Sequence, residues 1–393
     1  MNDESVLMNN ESACAVAASA EAAGAGAASV RAAGTEAAGA EAAGADADGA
    51  GADGAETAGA GTVNVNVELL KEICAVYGPS GDESRVCGFI LDRIKDYIDG
   101  YEIDALGNLV AHKHGNGKKM MLAGHMDQLG LLAVDITKEG FIYFTSLGGN
   151  RTENLNAQRV VFGNGTAGTV GCERLTDKKP MTQEKMYIDI GAKDREDAEK
   201  HVSIGDVAVF GAPPIADTRK IISPALDDRV GCFIMIEALK RLKDPAFDLY
   251  FVFTVQEELG LRGARTSAWS VDPDYGLAFD VTVSYDTPKA MKLPSKMYGG
   301  AAIKIKDSSL ICHPVMIRHM ENCAKAAGVK YQFEILEAGG TDSGAIHMTR
   351  GGVPSGVMSV PTRYVHSAGE MCALSDVRDC IDLTVKVLET AII

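Results

Sequence analysis

The chain has 393 residues, 46% of them hydrophobic and 23% charged, which is enough apolar material for one large domain or two moderate ones. Its formal net charge is −16, of which residues 1–62 hold −9 (ten acidic residues against Arg31), so no basic surface speaks for nucleic acid or an anionic membrane as partner. Nine scattered cysteines without a C-x-x-C pair suit reduced thiols, no apolar run reaches the roughly 18–20 residues that span a bilayer, and MNDESVLMNN lacks the regions of a secretory signal; the expected compartment is the cytoplasm.

Residues 1–62 are dominated by Ala, Gly, Glu and Asp in degenerate repeats such as EAAGAEAAGA. Glycine in a helix costs about 1 kcal/mol relative to Ala, and nothing large is available to bury, so a disordered tail is expected there. Ordered sequence begins near Val63, with a short helix over Val67–Val76 and a longer one over Glu83–Ile98, capped by Asp82. Strands follow at Glu102–Ile103, Leu109–His112 and Lys119–Leu122.

Residues 131–215 change character. Short apolar or alternating runs (Leu131–Ile136, Phe141–Thr145, Val160–Phe162, Ala167–Val170, Met186–Ile190, Val207–Phe210) stand between glycine-rich turns, with one helical stretch at Asp194–Lys200. Such spacing predicts a small β-barrel or sandwich inserted into a larger domain formed by 63–130 and 216–393. In the second part of that domain, helices over Arg229–Leu242, Pro314–Ala327 and Leu374–Leu388 alternate with strands at Asp248–Val255, Tyr275–Val281, Gln332–Ile335 and Gly356–Val360. That alternation predicts an α/β fold, a three-layer αβα sandwich around a mixed sheet.

Polar residues collect at the ends of these strands. His125 and Asp127 follow Leu122, Glu257 and Glu258 follow FDLYFVFTV, Asp280 ends YGLAF, and His366 lies just beyond GVMSV. Ligands of open α/β sheets bind beyond the carboxyl ends of the strands, so four strands deliver His, Asp or Glu to one crevice, and Asp227 in ALDDR joins them at the start of a helix. Imidazole with carboxylate suits Zn²⁺, Co²⁺ or Mn²⁺, and the excess of carboxylates suits two ions sharing a bridging Asp. Any one of these residues alone reads more simply as an ordinary loop residue; the shared strand-end pattern is what points to a metal site. Because successive side chains of a strand face opposite ways, Glu257 and Glu258 are not expected to face the ions alike.

The order H-x-D, A-L-D-D-R, E-E-L-G, F-D-V-T, G-G-T-D and P-T-R-Y-x-H, spread from about Val65 to the C-terminus, resembles the glutamyl and deblocking aminopeptidases that assemble as tetrahedra. The resemblance implies a dinuclear aminopeptidase acting on peptides, with one ion held by His125 and Asp280, the other by Glu258 and His366, and Asp227 bridging both. It further implies Asp127 as the hydrogen-bond partner of His125, Glu257 as general base and acid, a cis bond between Asp227 and Asp228, and a substrate-side loop at Thr341 and Asp342. Residues 131–215 correspond to a dimerisation domain, from which a homo-oligomer, a dodecamer of dimers, is expected. Gln128 departs from the family, which more often has Glu there. Rival readings are a two-metal carboxypeptidase or deacylase, which would carry a ferredoxin-like insert with βαββαβ periodicity, a glycoside hydrolase using paired carboxylates, and a metal-free binding scaffold.

Overall fold

The computed structural model describes residues 65–173 and 181–392; the expected disordered tail lies outside them. The chain opens with α1 (Val67–Ala75) and α2 (Ser84–Ile94), then β1 (Gly100–Ile103), β2 (Leu109–Lys113) and β3 (Lys119–His125). Asn66 caps α1 by accepting the Leu69 amide. At α2 the N-cap is Glu83 rather than the expected Asp82. The Glu83 carboxylate is buried and accepts the amides of Gly81 and Gln256, whereas Asp82 stays in solvent.

Next come β4 (Gly130–Ile136), β5 (Ile142–Leu147), α3 (Thr152–Leu155), β6 (Arg159–Phe162), β7 (Ala167–Cys172), β8 (Met186–Asp189), α4 (Arg195–Ala198) and β9 (Val207–Phe210). The six strands close into a barrel in the order β4-β5-β8-β7-β6-β9, every pair antiparallel. Period-2 alternation places Leu131, Ala133, Phe144, Val160, Phe162, Val170 and Ile188 inside it, where they form a core of their own. Both α-helices among the described residues of this stretch are single turns, and those residues form no βαββαβ unit.

The rest of the chain comprises β10 (Ile215–Ala216), β11 (Lys220–Ser223), α5 (Leu226–Arg241), β12 (Asp248–Thr254), α6 (Arg262–Val271), β13 (Tyr275–Val283), β14 (Ala301–Lys306), α7 (Pro314–Ala327), β15 (Tyr331–Ile335), α8 (Ser343–Ile346), β16 (Ser355–Arg363), β17 (Glu370–Ala373) and α9 (Leu374–Leu388). With β1–β3 these strands form one mixed sheet in the order β1-β2-β12-β3-β13-β16-β17-β11-β10, with β14 and β15 branching from β16. The central four, β12, β3, β13 and β16, run parallel, and their carboxyl ends share one edge. Side chains from α1, α2, α5, α7 and α9 build the larger core against the sheet, while α6 and α8 cover its other face.

Helix α5 is buried on all sides from Leu226 to Leu239, which is why its sequence shows no polar face. Strands β14 and β17 and helix α6 had no clear sequence signal. The helix, RGARTSAWSV, is made of small and polar residues, and β17 is four residues long.

Candidate active site

The parallel strands determine what meets at the sheet edge. His125 is the last residue of β3 and is buried. Its Nε2 faces Asp227 Oδ1 at 3.0 Å, and its Nδ1 faces the Asp127 carbonyl at 3.1 Å and the Asp127 carboxylate at 3.4 Å. Asp227 reaches the other way too: its Oδ2 stands 3.4 Å from His366 Nε2. One buried carboxylate therefore spans two imidazoles. The Asp227–Asp228 peptide is cis, and both residues have non-helical torsions inside the first turn of α5.

Strand β12 ends at Thr254, so Glu257 and Glu258 sit in a turn and strand alternation does not separate them. Both line the same cavity. Glu257 Oε2 lies 3.8 Å from His125 Nε2, and Glu258 Oε1 lies 3.6 Å from His366 Nε2. Asp127 sets this turn: its fully buried carboxylate accepts the amides of Glu257 at 3.0 Å and Glu258 at 3.2 Å, and the Ser80 hydroxyl at 2.6 Å. A single side chain thus orients His125 and both glutamates.

Asp280 stands within β13, buried, with Oδ1 accepting the Val281 amide. His366 lies on the loop after β16 at φ +63°, a conformation that non-glycine residues adopt rarely. Three hydrogen bonds hold it. Its amide donates to Glu370 Oε1, its carbonyl accepts from Asn154 Nδ2, and its ring Nδ1 meets the Gly149 carbonyl at 3.0 Å. Two of those partners belong to the segment between β5 and the end of α3.

The result is a cavity of about 360 Å³ walled by Asp227, Glu257, Glu258, Asp280 and His366, with Gly149, Gly260, Leu261, Gly339 and Gly340 completing it. Thr341 and Asp342, expected on the substrate side, do not reach it. Both are buried behind the two glycines, where Asp342 accepts the Thr254 hydroxyl at 2.5 Å and keeps one oxygen without a partner. Of this loop it is Gly339 and Gly340 that line the cavity.

Electrostatics bear on what the site holds. Burial, reinforced by neighbouring carboxylates, pushes Glu257 and Asp280 well above the usual carboxylate range and Glu258 up to about 7. Asp227 is held low: its burial is outweighed by His125 and His366. The same carboxylates overcome the burial of His366 and raise it to about 10. Four carboxylates with two imidazoles and no lysine or arginine on the cavity wall form a donor set short of positive charge. Divalent cations fit that set, and His125, Asp227 and Glu258 already present donor atoms within 4.8 Å of one another.

Sequence reasoning missed three buried residues. Glu370 accepts the amides of Asp227 at 3.1 Å and His366 at 2.9 Å, and burial pushes it up to about 8. Asp228 accepts the His125 amide and the Gly231 amide. Arg229, fully buried, makes four hydrogen bonds, to the carbonyls of Met126, Ile73, Val76 and Gly78, and so anchors the loop behind His125. For Asp228 and Arg229 a signal existed, since two charged residues opening an otherwise apolar helix must be paired or exposed. Glu370 gave none.

Residues 107–383 match the family model described as M42 glutamyl aminopeptidase. A putative aminopeptidase of Acetivibrio thermocellus is 47% identical over 322 residues, covering 82% of this chain and 98% of the relative. Among solved structures, an aminopeptidase from the archaeon Desulfurococcus kamchatkensis superposes with a TM-score of 0.80 at 35% identity, covering 83% of this chain and 94% of that one. The TET1 peptidase of Pyrococcus horikoshii, described as able to assemble into a tetrahedron or a large octahedral shell, gives 0.74 at 31% identity, covering 82% and 98%. Strand-end His and carboxylate donors on this sheet, a closed barrel beside it, and matches that span the folded chain make this protein a member of the M42 glutamyl aminopeptidase family and a metal-dependent aminopeptidase.

Proposed function

We propose that the enzyme removes N-terminal residues from peptides using two divalent ions, Zn²⁺, Co²⁺ or Mn²⁺. One would be held by His125 and Asp280, the other by Glu258 and His366, with Asp227 shared. The observation that carries this reading is the position of Asp227, whose two oxygens face two different imidazoles at 3.0 and 3.4 Å. Ions bound there supply Lewis acidity to the scissile carbonyl and to water.

The chain's own residues do the rest. Glu257 reaches the cavity but is not needed to complete either ligand pair, which leaves its carboxylate to take a proton from the attacking water and return it to the leaving amine. As the C–O bond forms and the C–N bond breaks, that transfer keeps the amine from departing as an anion. Asp127 holds the His125 ring at Nδ1 and the glutamate turn through its amides, and Glu370 holds His366 through its amide, a supporting role typical of residues behind metal ligands. A free α-amino group would find four carboxylates and no lysine or arginine on the cavity wall, which favours an exopeptidase acting at the N-terminus. The assignment is tested with a panel of aminoacyl p-nitroanilides and their N-acetylated forms, after reconstitution with each metal and with the metal bound per chain measured. Cleavage of the acetylated forms at equal rates, or one ion per chain at full activity, would overturn it.

We further read residues 131–215 as a dimerisation domain distinct from the catalytic domain formed by 63–130 and 216–393, in a cytoplasmic enzyme whose dimers assemble into a dodecamer. A barrel that contributes none of the five ligands and a relative described as forming tetrahedra support this. The cysteines among the described residues are free, which suits a reducing compartment. Light scattering on the purified protein measures the assembly directly, and an active monomer would refute it.

A further inference from the structure

A second group of metal-type donors lies far from the catalytic edge. In β2 and just after it, His112 and His114 are two residues apart and therefore point to one face of the sheet. The antiparallel register with β12 pairs His112 with Tyr250 and Lys113 with Leu249, which puts Asp248 across from His114 on that same face. His112 Nε2 meets Asp248 Oδ1 at 2.8 Å, and His114 Nδ1 stands 3.9 Å from that same oxygen. The three donor atoms lie within 4.8 Å of one another. Because β12 and β3 run parallel and Asp248 opens β12 while Thr254 closes it beside His125, the two groups are about 20 Å apart at roughly 3.3 Å per residue.

We propose that His112, His114 and Asp248 form a second divalent-cation site, of the zinc type, at the edge of the sheet opposite the catalytic residues. An ordinary His–Asp hydrogen bond would require only one imidazole, and here two converge on one carboxylate oxygen. The backbone around them is fixed. Asp99 accepts the His114 amide at 2.8 Å and donates its own amide to the His112 carbonyl. Gly115 and Gly117 bring the following turn so close to Phe247 and Ala246 that any side chain there would collide with backbone. That approach holds His114 beside Asp248. The His112 ring is also stacked on Tyr250, with centroids 4.4 Å apart, which restrains its orientation.

Donors on one tetrahedral zinc ion stand about 3.3 Å apart, given bonds of about 2.0–2.1 Å. His112 and Asp248 are near that spacing. His114, 73% exposed at its side chain, closes the remaining gap by rotating. Three protein ligands leave a fourth position for water or a solvent anion, and the site's exposure admits both.

The test uses the metal-loaded, active enzyme dialysed against low-micromolar Zn²⁺ at pH 7.5, with zinc per chain measured for the wild type, His114→Ala and His112→Gln/His114→Ala. Each variant is expected to retain one ion fewer per chain than the wild type, with kcat/KM within twofold. His114→Ala removes an exposed side chain, so the comparison survives even if the double variant folds poorly. Because the readout is a difference between proteins, it holds whatever the catalytic site contains. Equal zinc content in wild type and His114→Ala, or a loss of zinc matched by a loss of activity, would overturn the proposal.

Discussion

The ring Nδ1 of His366 meets the backbone carbonyl of Gly149 at 3.0 Å, so a loop attached to the barrel orients a residue of the catalytic cavity. A Cβ on Gly149 would lie 2.7 Å from that same nitrogen. Gly149→Ala is therefore expected to push the His366 ring aside. Loss of such a support typically costs about 10–100-fold in metal affinity or activity. The variant should keep the wild-type circular dichroism spectrum, hold less metal after dialysis, and recover part of its kcat in excess metal. Normal metal retention and full activity would show that the loop can give way.

The paired glutamates separate by variant chemistry. Glu257→Gln should keep its metal and bind substrate while kcat falls by about 10²–10⁴, the usual range for a lost general base. Glu258→Gln should weaken retention of metal, and added metal should partly rescue it. Metal analysis with steady-state kinetics on the two proteins distinguishes these outcomes, and the reverse pattern would exchange their roles.

Removing metal is expected to abolish peptide cleavage, and restoring Zn²⁺, Co²⁺ or Mn²⁺ to return it. His366→Ala should lower the metal content by one ion per chain, because Asp227 then faces only one imidazole. Atomic emission on the dialysed protein measures this. Full occupancy in His366→Ala would remove it from the ligand set.

Arg229 presents a stability prediction. Its four hydrogen bonds satisfy buried carbonyls of Ile73, Val76, Gly78 and Met126. Arg229→Met fills similar space but leaves the Met126 and Val76 carbonyls without a donor, since those of Ile73 and Gly78 also accept the amides of Val76 and Gln128, at about 1–3 kcal/mol for each that water cannot reach. Urea unfolding should show a loss of at least about 2 kcal/mol, with Arg229→Lys intermediate. A loss below about 1 kcal/mol would mean that water enters behind His125.

Glu83 gives stability a pH dependence. Burial pushes its carboxyl up to about 7, above the value of about 4.3 expected in the unfolded chain. The folded state therefore binds the proton more tightly. Its contribution is complete below about pH 4.3 and is lost as pH rises toward 7, by up to about 3 kcal/mol. Glu83→Gln is neutral at every pH and should flatten that part of the profile. Unfolding midpoints at pH 5 and pH 8 for the two proteins check the sign.

The candidate cluster could be proposed from the sequence because His125, Glu257, Glu258 and His366 lie at or just beyond strand ends, whereas Asp280, expected at a strand end, stands inside β13. A buried, mainly apolar strand fixes the position of the residues at its end, so HMD at the end of β3 and QEE after β12 were placed by local pattern. The helix-period run of α5 likewise located Asp227. Alternation within the barrel strands was equally readable, since each strand has one face turned to a small closed core.

What only the tertiary structure decided are the partners joined across long separations. Glu370 reaches Asp227 from 143 residues away, Gly149 reaches His366 from 217 away, and Arg229 reaches Ile73 from 156 away. Each contact involves a backbone group, and every residue carries the same backbone groups, so the sequence holds no mark of which will be chosen. Thr341 and Asp342 show the same limit from the other side. Their loop was singled out by the resemblance of G-G-T-D to the family's, but which of its residues faced the cavity depended on how α8 packs against β13 and β16, and that packing turned the glycines outward and the polar side chains in.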